Sequence, residues 1–268
     1  MRYSILIIMA FPLLTLAFSS SDKLTDLKQQ YEDEIRTENV YFMPLENMFE
    51  DEKTLALAKA AKSGNLRRID ILIEQGVDIN QLGTKNATVL LYSIPNEQGF
   101  NHLLINGANP NVLFDSGGSV VHAAASMDNI FFLTKALEHG GDANLRSLTS
   151  GRSPLFNAVM KNNVAAIQLL VKNGADMSLY ENDRPAGIYG LSPLSSALYG
   201  QRYDSMLTLL RLGADFNQVE KNKGQTILDA AKNIASRLEK PSGQLINIIE
   251  WMESKNHEMD KEVQQNRE

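Results

Sequence analysis

Gly213-Ala214-Asp215-Phe216-Asn217 is one of five copies of a single short pattern, and its recurrence decides the fold. The others are Gly76-Val77-Asp78-Ile79-Asn80, Gly107-Ala108-Asn109-Pro110-Asn111, Gly140-Gly141-Asp142-Ala143-Asn144 and Gly174-Ala175-Asp176-Met177-Ser178. Each follows an apolar helical run, so its glycine is placed to take the left-handed conformation that stops a helix. Successive glycines lie 31, 33, 34 and 39 residues apart. A period in that range predicts a helical solenoid, whose working part is its long open face.

A second signature is interleaved with the first. Each unit opens on a hydroxyl and a short apolar run: Thr88-Val89-Leu90-Leu91, Ser119-Val120-Val121-His122-Ala123-Ala124, Ser153-Pro154-Leu155-Phe156-Asn157-Ala158, Ser192-Pro193-Leu194-Ser195-Ser196-Ala197 and Thr226-Ile227-Leu228-Asp229-Ala230-Ala231. The hydroxyl is suited to cap a helix, proline to its first turn, and alanine to close approach of the paired helix. With the glycine endings in register, these openings resemble the Thr-Pro-Leu-His-x-Ala-Ala start of ankyrin repeats. The resemblance covers about three quarters of the chain, residues 54–253. It implies an all-α ankyrin-repeat solenoid of about six helix-turn-helix units with β-turn or hairpin loops, capped at both ends.

The units are placed near 54–82, 83–114, 115–147, 148–182, 187–220 and 221–253. The first has Leu55-Ala56-Leu57 where the hydroxyl and proline belong, and reads as a cap. In the second, Pro95 follows Ile94 and must end the first helix early. The longest spacing, before Gly213, places an insertion within 180–190. Leu169 and Leu209 are expected between stacked helices. The tail at 254–268 is polar and charged, and is expected to be disordered.

Arg2 precedes an apolar run from Ile5 to Phe18, broken by Pro12 and Thr15 and closed by Ala17-Phe18-Ser19. This predicts a cleavable secretory signal over residues 1–19 and a periplasmic protein. The chain has no cysteine, which closes the lipoprotein route and leaves stability to packing alone. Residues 20–53 follow, with Leu24, Leu27, Tyr31 and Ile35 at helical spacing. Two readings stay open for them: cover for the exposed end of the first unit, or part of the partner surface.

Twenty-six basic against 32 acidic residues give a net charge of −6, which disfavours nucleic acid and anionic lipid as partners. His102, His122, His139 and His257 share no metal-ligand spacing, and no cofactor motif appears. Gly190-Leu191-Ser192-Pro193-Leu194 lacks the second glycine of a nucleophile elbow. Gly117-Gly118 reads as the turn opening the third unit, not a phosphate cradle. His122 could be put forward as a base, but it holds the histidine place of the ankyrin opening, where the resemblance implies a brace. Asp78, Asp142, Asp176 and Asp215 are one structural position repeated. The chain is therefore expected not to be an enzyme.

The resemblance implies protein docking on the turn tips and the exposed side of each first helix. Carried over residue by residue, the tips offer Thr84 and Lys85, Asp115 and Ser116, Arg146, Thr149 and Arg152, and Tyr180. Further along they offer Arg184, Ile188, Tyr189 and Leu191, then Asn222, Lys223 and Gln225. The helix side offers Ser126, Met127, Met160, Lys161, Tyr199 and Asn233. Aromatic and arginine anchors are typical of binding hot spots, and here they cluster near the insertion.

A signal, a short chain and the shortened second unit, Thr88-Val89-Leu90-Leu91-Tyr92-Ser93-Ile94 with Gly99 to Asn111, are similar to immunity proteins that bacteria pair with lipase effectors of the type VI secretion system. That resemblance implies a periplasmic protein that binds and neutralises a phospholipase toxin. The same residues also suit a periplasmic ankyrin scaffold or stress-protection protein, or a secreted effector binding a host protein.

Overall fold

The computed structural model describes residues 44–181, 190–220 and 224–265. The expected signal, the segment up to residue 43 and most of the insertion lie outside these residues.

Each glycine of the repeated pattern stops a helix as its sequence dictates. Gly76, Gly107, Gly140, Gly174 and Gly213 have φ between 78° and 95°. The residue after each donates its N–H to the carbonyl four residues before the glycine, as Ala175 does to Leu170 and Ala214 to Leu209, both at 3.0 Å. This closes the helix end with two otherwise orphaned groups satisfied.

Among the described residues a short helix α1 (Leu45–Met48) leads into six helix pairs. They are α2 (Glu52–Ser63) with α3 (Leu66–Glu74), α4 (Val89–Ser93) with α5 (Glu97–Ile105), α6 (Val120–Ala125) with α7 (Ile130–Glu138), α8 (Pro154–Met160) with α9 (Val164–Lys172), α10 (Pro193–Tyr199) with α11 (Tyr203–Arg211), and α12 (Ile227–Arg237) with α13 (Gly243–Gln265). The second helices of neighbouring units contact one another in succession along the array. Loops join the pairs, and one isolated antiparallel bridge pairs Val219 with Thr226.

The opening hydroxyls behave unequally. Thr88, Ser192 and Thr226 accept the N–H three residues on, from Leu91, Ser195 and Asp229. Ser119 instead pairs with His122. Ser153 departs from expectation: its buried hydroxyl has no partner, and the Phe156 N–H goes to the Ser153 carbonyl at 3.0 Å. Asparagine caps the second helices of the first four units, at Asn65, Asn96, Asn129 and Asn163. Their side chains satisfy N–H groups that would otherwise be exposed at each turn.

Pro95 limits α4 to five residues, as its missing N–H requires. At the N-terminal end Leu45, Met48 and Phe49 are buried with the first unit, so residues 44–49 cover it. The first helix begins at Glu52, capped by Asp51, two residues before the expected start.

Two expectations are corrected. The tail is not disordered from residue 254: α13 continues to Gln265. Its Met252 is buried, Asn256 exchanges amide bonds with Asn217, and Lys255 pairs with Glu258 one turn on. Lys, Glu, Gln and Met there are also good helix formers, a preference that the charged composition masked. Leu169 is only partly buried, whereas Leu170 and Leu209 are fully buried. Counted back from the stop glycines, Leu209 corresponds to Leu170, so the expected register of α9 was off by one.

Candidate functional site

The pattern's asparagines hold consecutive turns together. Within each turn the Asx side chain accepts the N–H two residues on, as Asp142 does from Asn144 at 2.7 Å. The asparagine then reaches the next unit: the Asn111 amide donates to the Gly140 carbonyl and its oxygen accepts the Asp142 N–H, both at 2.8 Å. Beyond this ladder the loops run out side by side and are stitched in a row. Asp115 N–H donates to the Lys85 carbonyl at 3.1 Å, Leu148 N–H to the Gly117 carbonyl at 2.9 Å, and Arg146 to the Tyr180 carbonyl at 2.8 Å.

This row decides where side chains can meet a partner. Lys85 and Asp115 are neighbours on it, with the Asn86 amide donating to Asp115 at 2.7 Å. Arg146 and Asp115 are exposed. Leu191 closes the base of the insertion, its carbonyl accepting the Glu181 N–H at 3.0 Å. Met160 and Lys161 sit apart, at the end of α8, where the Met160 carbonyl accepts Arg202 at 3.1 Å. Arg184, Tyr189 and Lys223 lie outside the described residues.

Besides Arg146, two further expected anchors are engaged within the fold. The Arg152 guanidinium donates to both carboxylate oxygens of Glu181, at 3.0 and 3.1 Å, and so joins the loop before α8 to the loop after α9. The Tyr199 hydroxyl donates to Glu220 at 2.7 Å. Glu220 is buried, and burial together with that carboxylate holds the Tyr199 phenol far above its ordinary range, so it stays a donor. Gln225 accepts from Asn233 at 3.3 Å beside them. Lone carboxylates are costly to bury, which gives Tyr199 a structural task.

The sequence reading missed the apolar part of the edge. Leu148 is 62% exposed, on the tip between Arg146 and Thr149, and Leu82 and Val219 are exposed on two other tips. An apolar residue flanked by Ser147 and Thr149 at a turn is the signal that could have found it.

His122 is the remaining candidate. The Ser119 N–H reaches its Nδ1 at 3.2 Å, which makes that nitrogen the acceptor and leaves the proton on Nε2. Nε2 lies 3.0 Å from the Arg152 carbonyl and donates to it. The ring braces one loop against the next, as the resemblance implied. Glycine-stopped second helices, the asparagine ladder and this histidine brace together settle the architecture. The described residues fold as an ankyrin-repeat solenoid.

Comparison with known proteins agrees. The family model described as ankyrin repeats (3 copies) matches residues 91–181 and 121–220. Over 133 residues, 49% of this chain and 58% of the relative, the ankyrin solenoid is 29% identical to Protein PhlB of Serratia liquefaciens. Over 181 residues, 65% of the chain and 52% of the relative, it is 29% identical to a protein of Fowlpox virus (strain NVSL) named for its ankyrin repeats. The matched part thus spans little more than half the length of either relative.

Burial lowers the His122 pKa below the ordinary histidine value of 6.5. The unfolded chain then binds this proton more readily than the folded solenoid, so stability falls as pH drops below about 6.5 and levels off once the folded ring also titrates. Thermal unfolding followed from pH 8 to 5 is expected to show this fall in the parent and a smaller one in His122→Gln. Equal pH slopes would contradict the assignment.

Proposed function

We propose that this chain is a periplasmic immunity protein that binds a phospholipase effector of the type VI secretion system and neutralises it. Ankyrin repeats are protein-binding scaffolds, and the observation that carries the reading is the loop edge. Its stitches hold Leu148 outward, and Leu82 and Val219 are exposed on two other tips, where the fold itself does not bury them. A preorganised apolar surface meets a partner with little ordering cost. Interfaces of ordinary size bury about 800 Å² on each side, an area that tips from several units together can supply. The signal-like start and the shortened second unit support a periplasmic immunity role through the resemblance already described. Similarity to a bacterial protein, PhlB, is compatible with it.

On this reading the edge covers the toxin's active-site mouth and excludes lipid, so the chain needs no chemistry of its own. Cells made to export a candidate phospholipase effector to the periplasm are expected to survive only when the full chain is also made. A chain lacking residues 1–19 should accumulate in the cytoplasm and fail to protect. Protection by that truncated chain would refute the periplasmic site of action, and lysis despite the full chain would refute immunity.

A further inference from the structure

The ladder of carboxamides is interrupted at one junction. Asn80 donates to the Gly107 carbonyl at 3.0 Å and accepts the Asn109 N–H at 2.8 Å. Asn111 repeats this on Gly140 and Asp142, and Asn144 on Gly174 and Asp176, at 2.8 and 2.7 Å. Asn217 closes the series on Asn256 of α13. Between units four and five the residue is Ser178. Its hydroxyl turns back and donates to Asp176 of its own turn at 2.6 Å. The Gly213 carbonyl and Asp215 N–H hold the places of Gly174 and Asp176, yet among the described residues no side chain bridges them.

A cavity of about 210 Å³ opens here, lined among others by Met177, Ser178, Leu194, Gly213, Asp215 and Gln218. That is roughly seven times the about 30 Å³ that a water takes up in the liquid, room for a side-chain head and its methylene stem.

We propose that this notch receives the carboxamide of an asparagine or glutamine side chain of the bound protein. The assignment rests on the protein-binding function proposed above. The chain fills three equivalent places with a carboxamide, because one group must both donate to a carbonyl and accept an N–H. A carboxylate cannot donate to Gly213, and it would face the carboxylates of Asp176 and Asp215. An ammonium cannot accept from Asp215. Met177 and Leu194 supply apolar wall for the stem.

The test uses the ¹⁵N-labelled full chain titrated with acetamide, with acetate as control. The Asp215 amide resonance is expected to shift saturably with acetamide and not with acetate. Ser178→Ala should keep this response. Ser178→Asn should lose it, because its own amide occupies the notch, and should melt at a higher temperature than the parent. With the phospholipase, Ser178→Asn should bind at least tenfold more weakly. An Asp215 resonance indifferent to acetamide, or one that responds equally in Ser178→Asn, overturns the notch. Unchanged phospholipase affinity in Ser178→Asn overturns its occupation by the partner. A chain that responds to acetamide but binds no phospholipase overturns the function proposed above and leaves the notch standing.

Discussion

Phe100→Ala is expected to lower stability by about 3–5 kcal/mol. Phe100 is fully buried in α5, and its ring meets Phe132 of the next unit edge-on, centroids 5.1 Å apart at 88°. Truncation removes that pair, worth about 0.5–1.5 kcal/mol beyond area burial, along with the ring's transfer energy. The hole cannot close by drawing α5 inward. At Gly99 a Cβ would already lie 2.0 Å from the Ala61 carbonyl oxygen, so α5 is at its contact limit against α2. Denaturant titration followed by circular dichroism measures the loss. The single tryptophan, Trp251, packs on Phe216 in the last units and reports separately by fluorescence. Solenoid stability is a sum of unit and interface terms, so the dichroism midpoint should fall further than the fluorescence midpoint if the array unfolds from the N-terminal side. A loss below about 1 kcal/mol would contradict the packing described.

Leu209→Ala should cost about 2–5 kcal/mol, and Leu169→Ala clearly less. Leu209 is fully buried in α11, four residues before its stop glycine, the place that Leu72, Leu103, Ala136 and Leu170 hold in the other units. Leu169 is one step round the helix and only partly covered. Leu170→Ala should match Leu209→Ala. Equal costs for Leu169 and Leu170, measured by the same titration, would restore the register first expected for α9.

The contrast between these leucines shows what could be read in advance. The stop glycines, the histidine brace and the short α4 follow from local backbone chemistry, so sequence alone placed Gly76, His122 and Pro95 correctly. The register of α9 was also legible, by counting four back from Gly174, but the run Leu169-Leu170-Val171 offered a leucine at either position. Pairings between residues distant in sequence were not legible. Arg152 and Tyr199 look like free anchors until the loops bring Glu181 and Glu220 beside them, 29 and 21 residues away. The exposure of Leu148 and the gap left by Ser178 likewise appear only once neighbouring turns are stacked. The helical tail was missed for another reason: charge content was weighed above helix propensity.

Calorimetry of the purified chain with the phospholipase it is proposed to bind tests the central claim most directly, using one change on each of two faces. Leu148 on the loop edge and Ile105 at the end of an outer helix are almost equally exposed, at 62% and 61%. Leu148→Asp and Ile105→Asp therefore introduce the same charge at similar solvent exposure, and both should leave melting within a few degrees of the parent. Leu148→Asp is expected to weaken binding by about 2 kcal/mol or more, roughly thirtyfold, as burying an unpaired carboxylate at a hot spot does, while Ile105→Asp leaves it unchanged. Full affinity in Leu148→Asp with loss in Ile105→Asp would place the partner on the opposite face and contradict the account.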